Sequence, residues 1–411
     1  MAYAFANIVC LSYLCDKMKK VLSFSLMLML GLVLSQWLPM ELGASYGYVR
    51  EGVSLLLGVC LAFIMINVGR EFDVDRSNLR PYLVDYCVAM LAAAAPWLLI
   101  ALYYVFVLVP SEQWGLGETW KETLLLSRFA APTSAGILFA MLAALGMQGS
   151  WIYRKIQVLA IFDDLDTILL MIPLQMVMIG LRAQMAVVLL VVVVLLVVGW
   201  RKMSAYDMRQ DWRAVLLYAA IVYGATLAVY YVTRTFWGAE SAVHIEVLLP
   251  AFVLGMVIRH RNVGGRGEAR AANVISLLFM LLVGMSMPVI VASDVVGSAR
   301  GVLSNLDMPS WGVIALHVVV VSILSNVGKL VPMLFYRDRT LRERLALSVG
   351  MFTRGEVGAG VIFIALGYNI GGPVLLISVL TLVLNLILTI GFVVVVKRLA
   401  LKAYETKPLK N

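Results

Sequence analysis

The chain has 411 residues, 62% of them apolar and 14% charged, with a mean hydropathy of +0.93. Soluble domains lie nearer about 45–50% apolar and about 25% charged. The composition therefore excludes a soluble enzyme, a nucleic-acid-binding domain and a disordered chain, and the net charge of +9 reports membrane topology and contact with anionic lipid.

A membrane-spanning helix needs about 20 mostly apolar residues. Thirteen stretches are read as spans: 2–15, 21–39, 51–69, 81–109, 122–147, 153–180, 183–200, 212–233, 242–258, 272–293, 311–336, 343–367 and 372–396. The first is short, and because no basic residue precedes Lys17 it is read as a span and not as a leader peptide. The seventh, apolar all round, is expected to face lipid. Eight of the nine Trp fall near span ends or in loops, the interfacial belt, and Trp97 is the exception. Cys10, Cys15, Cys60 and Cys87 show no metal-ligand spacing and are expected to be small buried hydrophobes.

Basic residues test the count. Odd-numbered loops and the C-terminal tail hold 25 of the 33 Lys and Arg, even-numbered loops hold 5, and three stand inside spans. Strict alternation of this kind places the N-terminus outside and the C-terminus in the cytoplasm. No segment between spans exceeds 17 residues, so the chain reads as one membrane domain.

A charge at the centre of a spanning helix costs roughly 2.5–3.5 kcal/mol on insertion scales, so it marks a pathway or a pair. Arg128, Lys329, Arg354, Asp163, Asp164, Asp166 and Glu356 stand in this position. Asp85, Glu246 and the neighbouring His244 lie near span ends and read as interfacial. Asp164 follows Lys155 by 9 residues, and Lys329 precedes Arg337 by 8. At about 1.5 Å per residue, both lie on the order of 12–14 Å from the cytoplasmic edge. One Lys neutralises only one of two adjacent Asp; the other must take a proton or a cation, so the two ligands compete. Asp163 and Asp164 are about 100° apart on a helix and can do different jobs, one toward the Lys and one toward a water-filled funnel. Asp166 stands about 200° from Asp164, a weaker candidate facing another helix or the funnel wall.

The fifth span carries Ala131-Pro132-Thr133-Ser134-Ala135-Gly136 at its middle, and the twelfth carries Thr353-Arg354-Gly355-Glu356-Val357-Gly358. Pro removes a helical hydrogen bond, and a Thr-Arg-Gly-Glu run is untenable as lipid-facing helix. The two spans enter from opposite sides. Spans four to six and eleven to thirteen therefore correspond as an inverted repeat with one interrupted helix in each, a pointer to a midplane site in secondary transporters. Arg128 and Arg354 are read as neutralising half-helix carbonyl ends, with Glu356 a possible partner of Arg128. The predicted fold is thus an all-α polytopic membrane protein of about 13 transmembrane helices, with inverted repeats and two broken, crossing helices.

These features resemble the monovalent cation/proton antiporter superfamily, in particular bacterial sodium/proton antiporters with an Asp-Asp pair. Phe162-Asp163-Asp164 resembles the ion-binding pair, and Gly328-Lys329 the Gly-Lys segment whose Lys pairs with the first Asp. Arg354-Gly355-Glu356 and Pro132-Thr133-Ser134 are similar to the segments of the two broken helices, and Val68-Gly69-Arg70-Glu71-Phe72-Asp73 to a Gly-x-Glu-x-Asp segment. The resemblance implies that Asp164, Asp163, Thr133 and Ser134 bind cation and proton, with Asp164 the Na+ carrier. It implies that Lys329 and Asp163 form the coupling ion pair, and that Glu356, Arg354 and Arg128 offset charge at the breaks. Ser35-Gln36 departs from the family's Gly-Pro, and Asp166 is an addition without a family counterpart. Only about 15 residues follow the last span, which weighs against a potassium-efflux protein with a regulatory domain.

The resemblance further implies a homodimer in the bacterial inner membrane, with an elevator-like core at roughly 81–180 and 311–396 and a dimerisation scaffold at roughly 1–69 and 183–293. Na+ or Li+ and protons are the transported species; the lipid bilayer is a partner, and neither a cofactor, nucleic acid nor enzymatic activity is expected. Asp-Asp with Lys points to electrogenic exchange. The alternatives are K+/H+ exchange and a sodium-coupled organic anion symporter, which does not require the buried Asp-Asp/Lys group. A channel would need no inverted broken helices, and an aspartyl protease draws its two Asp from separate helices.

Overall fold

The computed structural model describes residues 22–24, 26–71, 80–144, 146–179, 183–237, 245, 247–259, 266–286, 301–368 and 370–405. In lipid, backbone amides must be satisfied within the segment, so apolar runs fold as helices. They are α1 (Leu22–Leu42), α2 (Tyr46–Glu71), α3 (Arg80–Tyr103), α4 (Gly117–Ser127), α5 (Ala135–Ala144), α6 (Trp151–Ile179), α7 (Ala183–Lys202) and α8 (Trp212–Trp237). After them come α9 (Leu248–Val257), α10 (Arg266–Met285), α11 (Trp311–Gly328), α12 (Val331–Leu334), α13 (Leu341–Gly350), α14 (Glu356–Gly367) and α15 (Gly372–Glu405). Among the described residues, eight helical stretches are long and apolar enough to cross a membrane by length and composition. Among the described residues the only extended pairing is an isolated bridge between Tyr206 and Ile258. The all-α polytopic expectation holds.

From the second to the thirteenth, each expected span coincides with a helix or helix pair. The first span, Cys10, Cys15, His244, Glu246 and the Phe72-Asp73 end of the Gly-x-Glu-x-Asp segment lie outside the described residues. Spans five and twelve are broken where the sequence breaks them, as α4/α5 and α13/α14. Span eleven, read as continuous, is also interrupted: α11 ends at Gly328, Lys329 caps it, and α12 restarts two residues later with Pro332 in its first turn. Cys87 is exposed on α3, against the expectation of burial, whereas Cys60 is buried. On a lipid-facing surface an apolar thiol carries no exposure penalty.

Packing repeats across the two halves. α3 packs on α6 as α11 packs on α15, and α3 crosses α11. That crossing is close because Gly328 has no side chain: a Cβ there would collide with the Pro96 backbone. α2 packs on α8, α9 and α10. A contiguous apolar core runs through the helices, with Ile137, Phe139, Phe279 and Ile362 buried in it. Leu190, Val193 and Val197 of α7 and Leu217 and Ile221 of α8 point outward, as lipid allows. The Glu122 carboxylate accepts the N–H groups of Val302 and Leu303 at 2.8 and 2.9 Å. Asp85, expected near a span end, is 1% exposed, paired with Lys155 at 2.7 Å and hydrogen-bonded by the Tyr336 hydroxyl at 2.7 Å.

Candidate ion-binding site

The two breaks meet. Pro132 lacks an N–H, so the chain cannot run helically from α4 into α5; after a 3-10 turn at Arg128–Ala130 it extends through Thr133 and Ser134. The freed backbone pairs with the other break. Ser134 N–H donates to the Thr353 carbonyl at 3.0 Å, and the Thr133 hydroxyl to the Met351 carbonyl at 3.2 Å. Gly355 permits this approach, since a Cβ there would stand 2.8 Å from Ser134 Oγ and from Ile137 Cδ1. Thr133 and Ser134 are both buried.

α6 passes this junction and delivers Asp163. Lys329 Nζ donates to both of its carboxylate oxygens, at 2.8 and 2.9 Å, and neither side chain is exposed to any degree. The Thr133 N–H also donates to Asp163 Oδ2, at 2.8 Å. One carboxylate thus ties α6, the end of α11 and the first break. The ammonium can reach across because α11 stops at Gly328 and turns. Asp164, the next residue, is 5% exposed. Among the described residues no three His, Cys, Asp or Glu side chains converge on a metal position.

Arg354 sits on the carbonyl end of α13. Its Nη1 donates to the carbonyls of Met351 at 2.9 Å and Thr353 at 3.4 Å, and its Nη2 to Ser325 Oγ on α11 at 2.9 Å. A guanidinium there offsets the partial negative charge of the half-helix terminus. Arg128 takes a different place from the expected half-helix end. Its Nη2 donates to the main-chain carbonyl of Asp166 in α6 at 3.0 Å, and its guanidinium lies 4.6 Å from the centre of the Trp97 ring. Trp97 in turn donates its indole N–H to the Leu124 carbonyl at 2.7 Å, which accounts for a Trp far from the interface. Glu356 opens α14; its side chain lies outside the described residues.

Several polar residues around the site were not singled out from the sequence. Ser325 anchors Arg354, and Asn326 donates to Asn385 of α15 at 2.9 Å. The Tyr104 hydroxyl meets Ser378 at 2.7 Å. The available signal was a lone Asn or Ser in an otherwise apolar run, such as Asn385 within Leu382–Leu388.

The family model described as "Sodium/hydrogen exchanger, transmembrane" matches residues 5–401. A comparison with curated proteins finds no match. Among solved structures, the sodium proton antiporter MjNhaP1 from Methanocaldococcus jannaschii, determined at pH 8, is similar with a TM-score of 0.52 at 14% identity. The similarity covers 89% of this chain and 91% of that one. At that identity it speaks for the fold, while the family model spans nearly the whole sequence. The chain belongs to the sodium/hydrogen exchanger family of membrane cation/proton antiporters.

Proposed function

We propose that the protein exchanges Na+ or Li+ for H+ and that Asp164 is the group that carries them alternately. The observation behind this is the buried triangle of Asp163, Lys329 and the Thr133 amide. Lys329 directs its contacts to both oxygens of Asp163, so Asp163 matches its charge and is fixed in place. Asp164 adds a second carboxylate one residue on, and it too is buried. Thr133 and Ser134 are the supplementary oxygen ligands in this reading.

Lys329 is the second coupling group. A cation arriving at Asp164 disturbs the same buried cluster, and Lys329 gives up a proton as it does so. One proton from Asp164 and one from Lys329 against one Na+ makes the cycle electrogenic. Arg354, Glu356 and Arg128 stabilise the breaks and carry no ion. Residues 81–180 and 311–396 act as a moving core against a scaffold at 1–69 and 183–293, in a homodimer. The 25-to-5 distribution of basic residues supports a cytoplasmic C-terminus in a bacterial inner membrane.

Reconstituted Asp164→Asn tests the assignment. It is expected to melt with the wild type and to show no sodium-dependent proton flux. A folded Asp164→Asn protein that still exchanges sodium for protons refutes it.

A further inference from the structure

We infer that Asn385 and Asn326 are positioning residues for Lys329: the hydrogen bond between their side-chain amides fixes the last turn of α11 on α15, and with it the place from which the ammonium reaches Asp163. The sodium arm of the test rests on the antiporter reading above.

Lys329 stands just past the end of α11, where its N–H closes on the Asn326 carbonyl at 3.1 Å. Its backbone is therefore placed by the turn Ser325–Gly328. Three neighbours hold that turn. Gly328 lies against the Pro96 backbone of α3, and Ser325 Oγ accepts from Arg354 of the second break at 2.9 Å. The third neighbour is α15: Asn326 Nδ2 donates to Asn385 Oδ1 at 2.9 Å.

Asn385 has no exposed surface and lies in the apolar run Leu382–Leu388, where an amide finds no water. Its Nδ2 donates to the Thr381 carbonyl one turn back at 3.0 Å, which leaves Oδ1 to face α11. Asn326 Oδ1 is buried without a hydrogen-bond partner among the described residues, so the bond to Asn385 is the one its side chain makes among them. Such a pair is directional. A slide or rotation of α11 breaks it, just as a buried Asn pair fixes the register of paired helices. The pair is also uncharged, so it holds the end of α11 without adding to the charges of Asp163, Asp164, Lys329 and Arg354.

The contacts that depend on this hold are the two from Lys329 Nζ to Asp163, at 2.8 and 2.9 Å. If the turn shifts, they loosen. A buried ammonium no longer matched by Asp163 is an uncompensated charge, and it opposes a second cation at the adjacent Asp164.

The test follows melting of the full-length, detergent-solubilised protein as Na+ is raised. A ligand that binds the folded state raises the melting temperature with its concentration, and this needs no turnover. Wild type is compared with Asn385→Leu, Lys329→Gln and the double variant. Asn385→Leu is expected to melt lower without Na+ and to need about fivefold more Na+ for the same rise, a size within the range of coupled neighbours. In the Lys329→Gln background, which has no ammonium to misplace, the same substitution should change the Na+ requirement by less than about twofold. An equal fold-loss in both backgrounds makes Asn385 a packing residue and overturns the inference. So does an Asn385→Leu protein with the wild-type Na+ requirement. Asn326→Ala removes the other amide and should give the same pattern. If Asn385→Leu fails to fold, Asn326→Ala decides by the same comparison; if neither folds, the pair is a structural tie alone and the inference is overturned. Should the wild type neither shift its melting nor move protons with Na+, Li+ or K+, the antiporter reading fails. In that case, or if the Lys329→Gln background shows no response to Na+, melting without Na+ decides the positioning: losses from Asn385→Leu and Lys329→Gln that are less than additive support it, and additive losses overturn it.

Discussion

Asp163→Asn removes one negative charge from a contact set that includes two Lys329 hydrogen bonds and one from the Thr133 amide, all at 2.8–2.9 Å. The amide oxygen of Asn can still accept one of them. It cannot match the ammonium, which has no exposed surface. Breaking a buried pair by neutralising one member costs about 3–5 kcal/mol. Unfolding entropy of about 2.1 cal/mol/K per residue over 411 residues converts this to a fall of about 3–6 °C in melting temperature. Asp163→Asn/Lys329→Gln exchanges the ion pair for a neutral one and should recover most of the loss. Thermal melting of the purified detergent-solubilised protein reads all three variants. An Asp163→Asn protein that melts with the wild type, or a double variant whose loss equals the sum of the singles, refutes the idea that this pair joins α6 to α11.

Gly328→Ala should destabilise by at least about 1–3 kcal/mol, because the new methyl meets the Pro96 backbone and α3 and α11 must separate; melting reads it. Tyr336→Phe removes a hydrogen bond to buried Asp85, worth about 1.5–3 kcal/mol. Burial and the adjacent Asp85 push the Tyr336 hydroxyl above the ordinary tyrosine range, so the folded state holds this proton more tightly than the unfolded one. The wild-type advantage over Tyr336→Phe should be complete below about pH 10 and fall as the pH rises further, a sign that melting at pH 8 and pH 11 checks. Glu356→Gln should lower the melting temperature more than it changes apparent Na+ affinity; retained stability with a specific loss of affinity would move Glu356 into the ion site.

Much of this architecture was legible because charge in hydrocarbon is so costly that every buried Lys, Arg and Asp is a signal. Matching the depths of Asp164 and Lys329 brought α6 and α11 to one level, and the structure joins them through the neighbouring Asp163. Pro132 and the Thr353–Gly355 run located both breaks by backbone chemistry. The end of α11 at Gly328 was not read, although Pro332 just beyond it hinted at a stop. Side chains that act by covering or orienting were also missed. Ser325 and Asn385 look like ordinary filler in an apolar run, since periodicity along one helix does not say which neighbour a residue faces. The burial of Asp85 was not legible near its span end, because it depends on Lys155 and Tyr336, the latter more than 250 residues away in sequence. Asp166 made no sense in one dimension because the helices that surround it, α3 and α4, are brought there only by the fold.

The most direct measurement is proton flux in proteoliposomes with Na+, Li+ and K+ added in turn, repeated at clamped membrane potentials to find the voltage at which flux reverses. The account predicts that Na+ and Li+ move protons, K+ does not, and the reversal potential corresponds to two protons per cation. Flux driven by K+ alone, or a one-for-one exchange indifferent to voltage, would contradict it.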